Sequence, residues 1–142
     1  MAIHEPRVVW MSGPHSPADH DITIFRGGDA KVAKEEWDQS SLYFQLKNGD
    51  LAVGDSGYTG EPGKIVTTKS EHSAQFRGFL ARVKNRQETF HGRLKAFDIL
   101  GGCFRHGRST SQRKEIHKMA VEAVATIIQY DYKNGQPPLD VL

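Results

Sequence analysis

Residues 73–97 constrain this chain more than any other stretch. Phe76, Phe79, Leu80, Val83, Phe90, Leu94 and Phe97 recur at helical spacing and fall on one face. Such a helix has to bury that face, so the rest of the chain must supply the surface that covers it. The flank beside it carries Arg77, Lys84, Glu88, His91 and Lys95, again at steps of three, four and seven. Within residues 82–95 (RVKNRQETFHGRLK), Glu88 is a lone carboxylate in a basic row at the edge of the apolar face. It has two readings. It pairs with Lys84 at i,i+4, worth about 0.3 kcal/mol on an exposed helix, or it belongs to a functional site.

At 142 residues the chain has the length of one domain. The net charge of +2 is too small to imply nucleic-acid binding by itself, so a basic surface has to come from clustering. The one cysteine, Cys103, permits no internal disulfide and reads as a small buried apolar group. No apolar run has the length of a signal peptide or a membrane span, so the expected location is nuclear or cytoplasmic.

Taken in order, residues 7–11 (RVVWM) read as a buried strand and 12–17 (SGPHSP) as a loop. Asp19 and Asp21 are both suited to cap a helix, and His20 between them does not share a face with either. Asp29 suits the N-cap of a helix over 30–46, closed by Lys47-Asn48-Gly49. Residues 51–54 (LAVG) read as a strand with Asp55 at its C-terminal end, followed by Ser56-Gly57-Tyr58. Asp55 either starts an Asx-turn or stands where ligands gather at the carboxyl ends of strands. Residues 64–68 (KIVTT) are a further short strand. Gly101-Gly102 is expected to stop the long helix, ahead of a basic loop holding Arg105, His106 and Arg108. Ser109 and Gln112 form a capping box for a last helix. Its stripe of Ile116, Met119, Ala120, Ala123, Val124, Ile127 and Ile128 reads as core. Asn134-Gly135 closes it, and Pro137-Pro138 forbids continuation.

Four segments carry a family resemblance. Residues 7–26 (RVVWMSGPHSPADHDITIFR), 51–58 (LAVGDSGY), 64–67 and 85–95 (NRQETFHGRLK) resemble the C-terminal part of a DDE superfamily endonuclease domain, of the transposase-derived Harbinger and IS5-like type. The last resembles that family's Arg-x-x-Glu-x-x-Phe-Gly-x-Leu-Lys helix. The resemblance runs over about residues 7–105. It implies an α/β chain with a partial RNase H-like fold: a mixed sheet of few strands flanked by helices, its first strands missing. The expected layout is one domain over 1–133 and a flexible tail over 134–142.

The resemblance also implies a chemistry. The family's second catalytic aspartate falls on Asp55 and its glutamate on Glu88, as ligands of Mg²⁺ or Mn²⁺ for cleavage of DNA phosphodiesters. Lys84, His91, Lys95, Arg105 and Arg108 are then placed to meet DNA phosphates, which basic side chains neutralise without reading sequence. The family's first aspartate, in an Asp-Gly-Thr strand, has no counterpart here, so the catalytic triad is incomplete and the chain alone is expected to be inactive. The alternative is a non-catalytic DNA- or protein-binding remnant of a domesticated or decayed transposase. A sheet without its first strands leaves backbone and apolar surface for a second copy or a partner protein to cover.

Overall fold

The computed structural model describes residues 1–2, 5, 7–16 and 18–136. The chain is a mixture of helix and strand. Its regular elements are α1 (Asp21–Arg26), α2 (Leu42–Gln45), β1 (Ala52–Gly54), β2 (Ile65–Thr67), α3 (Ala74–Lys95), α4 (Asp98–Gly101) and α5 (Thr110–Lys133). Single 3₁₀ turns occupy Lys34–Glu36 and Ser56–Tyr58. The chain divides into two compact units, one of residues 15–81 and one of residues 1–14 with 82–142.

The first unit is built on a two-stranded parallel sheet, with Ala52 beside Ile65, Val53 beside Val66 and Gly54 beside Thr67. Phe25, Trp37, Ile65 and Leu80 are its buried apolar residues. Tyr43 sets its ring edge-on to both Phe25 and Trp37, at 6.0 and 5.4 Å between centroids, a favoured aromatic geometry. Gly27 ends α1 in the left-handed region (φ 78°), its N–H donating to the carbonyls of Thr23 and Ile24. A side chain there would be strained, and its Cβ would come within 2.8 Å of the Asp38 carbonyl oxygen.

Of the helix expected over 30–46 only its last turn, α2, forms, with a single 3₁₀ turn at Lys34–Glu36. Asp29 instead accepts from the Lys31 N–H in a local turn, and the Trp37 indole N–H donates to the Asp29 carbonyl at 3.0 Å. Asp38 accepts from both the N–H and the hydroxyl of Ser40. These side chain–backbone bonds offer the backbone an alternative to a helical ladder. Neither Asp19 nor Asp21 caps α1 through its side chain. The N-cap is His20, Asp21 is the first helical residue, and Asp19 Oδ2 accepts from the Ser16 N–H at 3.0 Å.

The second unit packs Phe90, Val124, Ala125, Ile128 and Tyr132 into one core, with Val8, Leu94, Phe97 and Leu100 partly buried against it. Residues 7–11 are not a strand. The Val8 N–H donates to Gln129 Oε1 on α5 at 2.8 Å, so this apolar run lies against a helix, where no ladder is available. Helix α3 stops at Lys95, earlier than expected, and one turn of α4 intervenes before Gly102. Ser109 caps α5 by accepting from the Gln112 N–H at 3.2 Å, but Gln112 bonds the Arg108 N–H instead of closing the box on Ser109. Two apolar expectations fail here: Cys103 is exposed, and so are Met119, Ala123 and Ile127 on α5. The expected tail begins with Asn134 at the C-cap of α5. Its residues 137–142, Pro137-Pro138 among them, lie outside the described residues.

Candidate functional site

β1 delivers Asp55. The strand ends at Gly54, whose added Cβ would meet Tyr58 Cβ at 2.9 Å and Ile65 Cγ2 at 3.1 Å. Only glycine therefore lets the following turn fold back this closely on the sheet. Asp55 caps that turn: its Oδ1 accepts from the Gly57 N–H at 2.8 Å. A second carboxylate joins it from α1. A Cβ on Gly57 would lie 3.2 Å from Asp55 Oδ1 and 3.2 Å from Asp21 Oδ2, so two acidic side chains approach the same small space above a bare glycine. Tyr58 lies beside them, half-buried. Burial raises its phenol above the usual value, and the charges of Asp21 and Asp55 raise it further, because a phenolate there would be poorly solvated and repelled.

Sequence reading favoured a capping role for Asp21. Nothing in its spacing from Asp55 signals that the start of α1 returns to the end of β1. The Arg26–Glu61 ion pair of the same unit was also missed. Arg26 Nε donates to Glu61 Oε1 at 2.7 Å, with both side chains largely withdrawn from water.

Glu88 belongs to the other unit. Its side chain is 77 % exposed on α3, 3.9 Å from His91 Nδ1, while His91 Nε2 is 3.1 Å from the Gln87 amide nitrogen. Lys84 and His91 are partly exposed and Lys95 is exposed on the same helix. Arg86, between Lys84 and Glu88 in sequence but on another face of α3, is buried, its Nη1 donating to the Ala2 carbonyl at 3.3 Å. Arg105 and Arg108 are exposed on the loop before α5. That loop is shaped by named contacts: Phe104 sets its ring edge-on to His106 and His117, at 5.1 and 4.9 Å, and Arg113 Nε donates to the Gly107 carbonyl at 3.2 Å.

Charge divides unequally between the units. Residues 1–14 with 82–142 carry twelve Lys and Arg against seven Asp and Glu, a net +5; residues 15–81 carry seven against ten, a net −3. Every residue predicted to meet phosphate lies in the positive unit, and Asp55 lies in the negative one.

Hard divalent cations take several oxygen ligands. Among the described residues no three His, Cys, Asp or Glu side chains converge on a common point. Asp21 and Asp55 make a pair, and among the described residues neither unit by itself offers a complete protein ligand set for Mg²⁺ or Mn²⁺. No helix among the described residues is long and apolar enough to cross a membrane. Compared with protein-family models, with curated proteins and with solved structures, the chain finds no match.

Proposed function

We propose that this chain is a transposase-derived, DDE endonuclease-like protein whose working surface is the positive helical unit, which binds the phosphate backbone of DNA without cleaving it. The division of charge carries this reading. A unit at net +5 with exposed Lys95, Arg105 and Arg108 attracts a polyanion, whereas an evenly mixed surface of the same total charge does not. Lys84 and His91 flank the same row on α3 and would add contacts to backbone phosphates. Such contacts position a protein on DNA and read no sequence.

The test is duplex DNA binding as a function of salt. Affinity should fall steeply as salt rises, and Lys95→Glu and Arg108→Glu should each lower the slope of log K against log salt by about 1. Asp55→Asn should leave binding unchanged. Affinity indifferent to salt would sink the proposal.

The approach of Asp21 to Asp55 favours a second reading, in which the acidic unit is the remnant of a metal-dependent phosphodiesterase. Its sign is Mn²⁺-dependent nicking of DNA that disappears in Asp55→Asn and in Asp21→Asn.

A further inference from the structure

Helix α5 is apolar on two faces, and only one of them is used. Val124, Ala125, Ile128 and Tyr132 are buried in the core of their unit. On the other side Met119, Ala123, Ile127 and Tyr130 follow one another at steps of four, four and three and are all exposed, with Ile116 partly buried at the head of the row. Met119 and Tyr130 each leave 67 % of their surface in water. A contiguous apolar row of this kind on a helix is costly to leave uncovered, and it marks an interaction surface.

We propose that this row binds a second copy of the same chain, with the two α5 helices antiparallel and the two-fold axis passing through Ala123. Three features of the row argue for a second copy. It is symmetric about its smallest member: Met119 and Ile127 lie four residues to either side of Ala123, and Ile116 and Tyr130 lie seven. A two-fold axis there sets Met119 against the partner's Ile127 and Ile116 against the partner's Tyr130, with alanine where two helix backbones must approach most closely.

The charges bordering the row obey the same symmetry. Glu115 and Lys133 border one edge, at opposite ends, and Arg113 and Asp131 border the other. An antiparallel pair brings Glu115 to the partner's Lys133 and Arg113 to the partner's Asp131, so the ends of both edges meet opposite charges, while Glu122, paired with Lys118 of its own helix at 3.9 Å, meets its own copy near the axis. A parallel pair would set Glu115 beside the partner's Arg113 and Lys133 beside the partner's Asp131, so these charges suit self-pairing in either sense, and the antiparallel sense rests on the symmetry of the row about Ala123. Edge charges of this kind favour pairing with a partner of matching charge, here a second copy. One helix row is small beside the ~800 Å² per partner of a stable interface, so the association is reversible and depends on concentration. The inference does not rest on DNA binding.

Sedimentation of the full chain over a range of concentrations tests it. The expected result is a reversible monomer–dimer equilibrium, abolished by Ala123→Glu. Glu115→Lys sets like charges together at both ends of the pair and should weaken dimerisation about tenfold. The exchange Glu115→Lys with Lys133→Glu should restore it. All these positions are exposed, so circular dichroism should show each variant folded. A chain that stays monomeric throughout, a dimer indifferent to Ala123→Glu, or an exchange that fails to restore association would overturn the proposal.

Discussion

Asp55 Oδ1 accepts a hydrogen bond from the Gly57 N–H at 2.8 Å, which closes the 3₁₀ turn Ser56–Tyr58 at the end of β1. The residue that the family resemblance marks as catalytic therefore has structural work of its own. The two roles separate by substitution. An asparagine side chain caps nearly as well as aspartate, whereas alanine cannot accept the bond. Asp55→Ala should cost about 1 kcal/mol in urea unfolding, and Asp55→Asn a few tenths. Any Mn²⁺-dependent property should be lost in both. If the asparagine variant is as destabilised as the alanine one, the capping account of Asp55 is wrong.

Tyr58 reports on the same place. Its phenol is raised above the ordinary value near 10, first by burial and then by Asp21 and Asp55. A group whose pKa is raised on folding favours the folded state fully below its unfolded pKa, and that contribution is lost as pH climbs through the folded value. Tyr58 should therefore add an alkaline limb to the stability curve beginning near pH 10. Absorbance titration of the phenolate, compared with Tyr58→Phe, isolates it. Asp21→Asn and Asp55→Asn should each move the titration part of the way down, leaving the share that burial supplies. A titration blind to both substitutions would mean that the two carboxylates do not face Tyr58.

The Arg26–Glu61 pair joins the end of α1 to the turn before β2, at 2.7 Å and mostly shielded from water. Removing one member of a shielded pair strands the other charge, which costs more than the pair contributes. Glu61→Ala should destabilise by about 3 kcal/mol, and Glu61→Gln, which keeps an acceptor oxygen for the guanidinium, by less. Arg26→Met in the Glu61→Leu background should recover much of the loss, since two apolar side chains leave no stranded charge. Full additivity of the two single losses would show that the ion pair contributes nothing as a pair.

The sequence was most legible where a pattern repeats over many turns. Helix α3 repeats its apolar spacing through 22 residues and α5 spans 24, and both form close to where the spacing puts them. β1 and β2 were legible because a short apolar run followed by Asp-Ser-Gly, or preceded by Pro-Gly, leaves the chain little else to do. Periodicity could not say which neighbour takes an apolar surface. Residues 7–11 have the composition of a strand yet lie against α5, and the last helix has more apolar residues than its core can use. Residues 30–46 failed for a different reason. Asp29 and Asp38 spend their carboxylates on nearby N–H groups, a local competition that apolar spacing does not register. Asp55 and Glu88 were found as individual residues, whereas the approach of Asp21 to Asp55 depends on a return of the chain that no local signal encodes.

Ile127 and Ile128 put the two faces of α5 to a direct test, because they are the same residue type at adjacent positions. Ile128 is 1 % exposed, in the core with Phe90, Val124 and Tyr132, while Ile127 is 47 % exposed. Cutting Ile128 back to alanine removes three buried carbons and leaves a cavity that close packing cannot refill, a loss of about 3–4 kcal/mol. Ile127→Ala gives up little buried area and gains helix propensity, so in dilute solution its effect should stay within about 0.5 kcal/mol. At high concentration the order of interest reverses. Ile127→Ala should weaken self-association, whereas Ile128→Ala, in whatever fraction remains folded, should not. Urea melts of both variants at low and high protein concentration read the two effects separately, because only coupling to a second copy makes a midpoint depend on concentration. Equal losses in dilute solution would mean that the row through Met119, Ile127 and Tyr130 is covered within the chain itself.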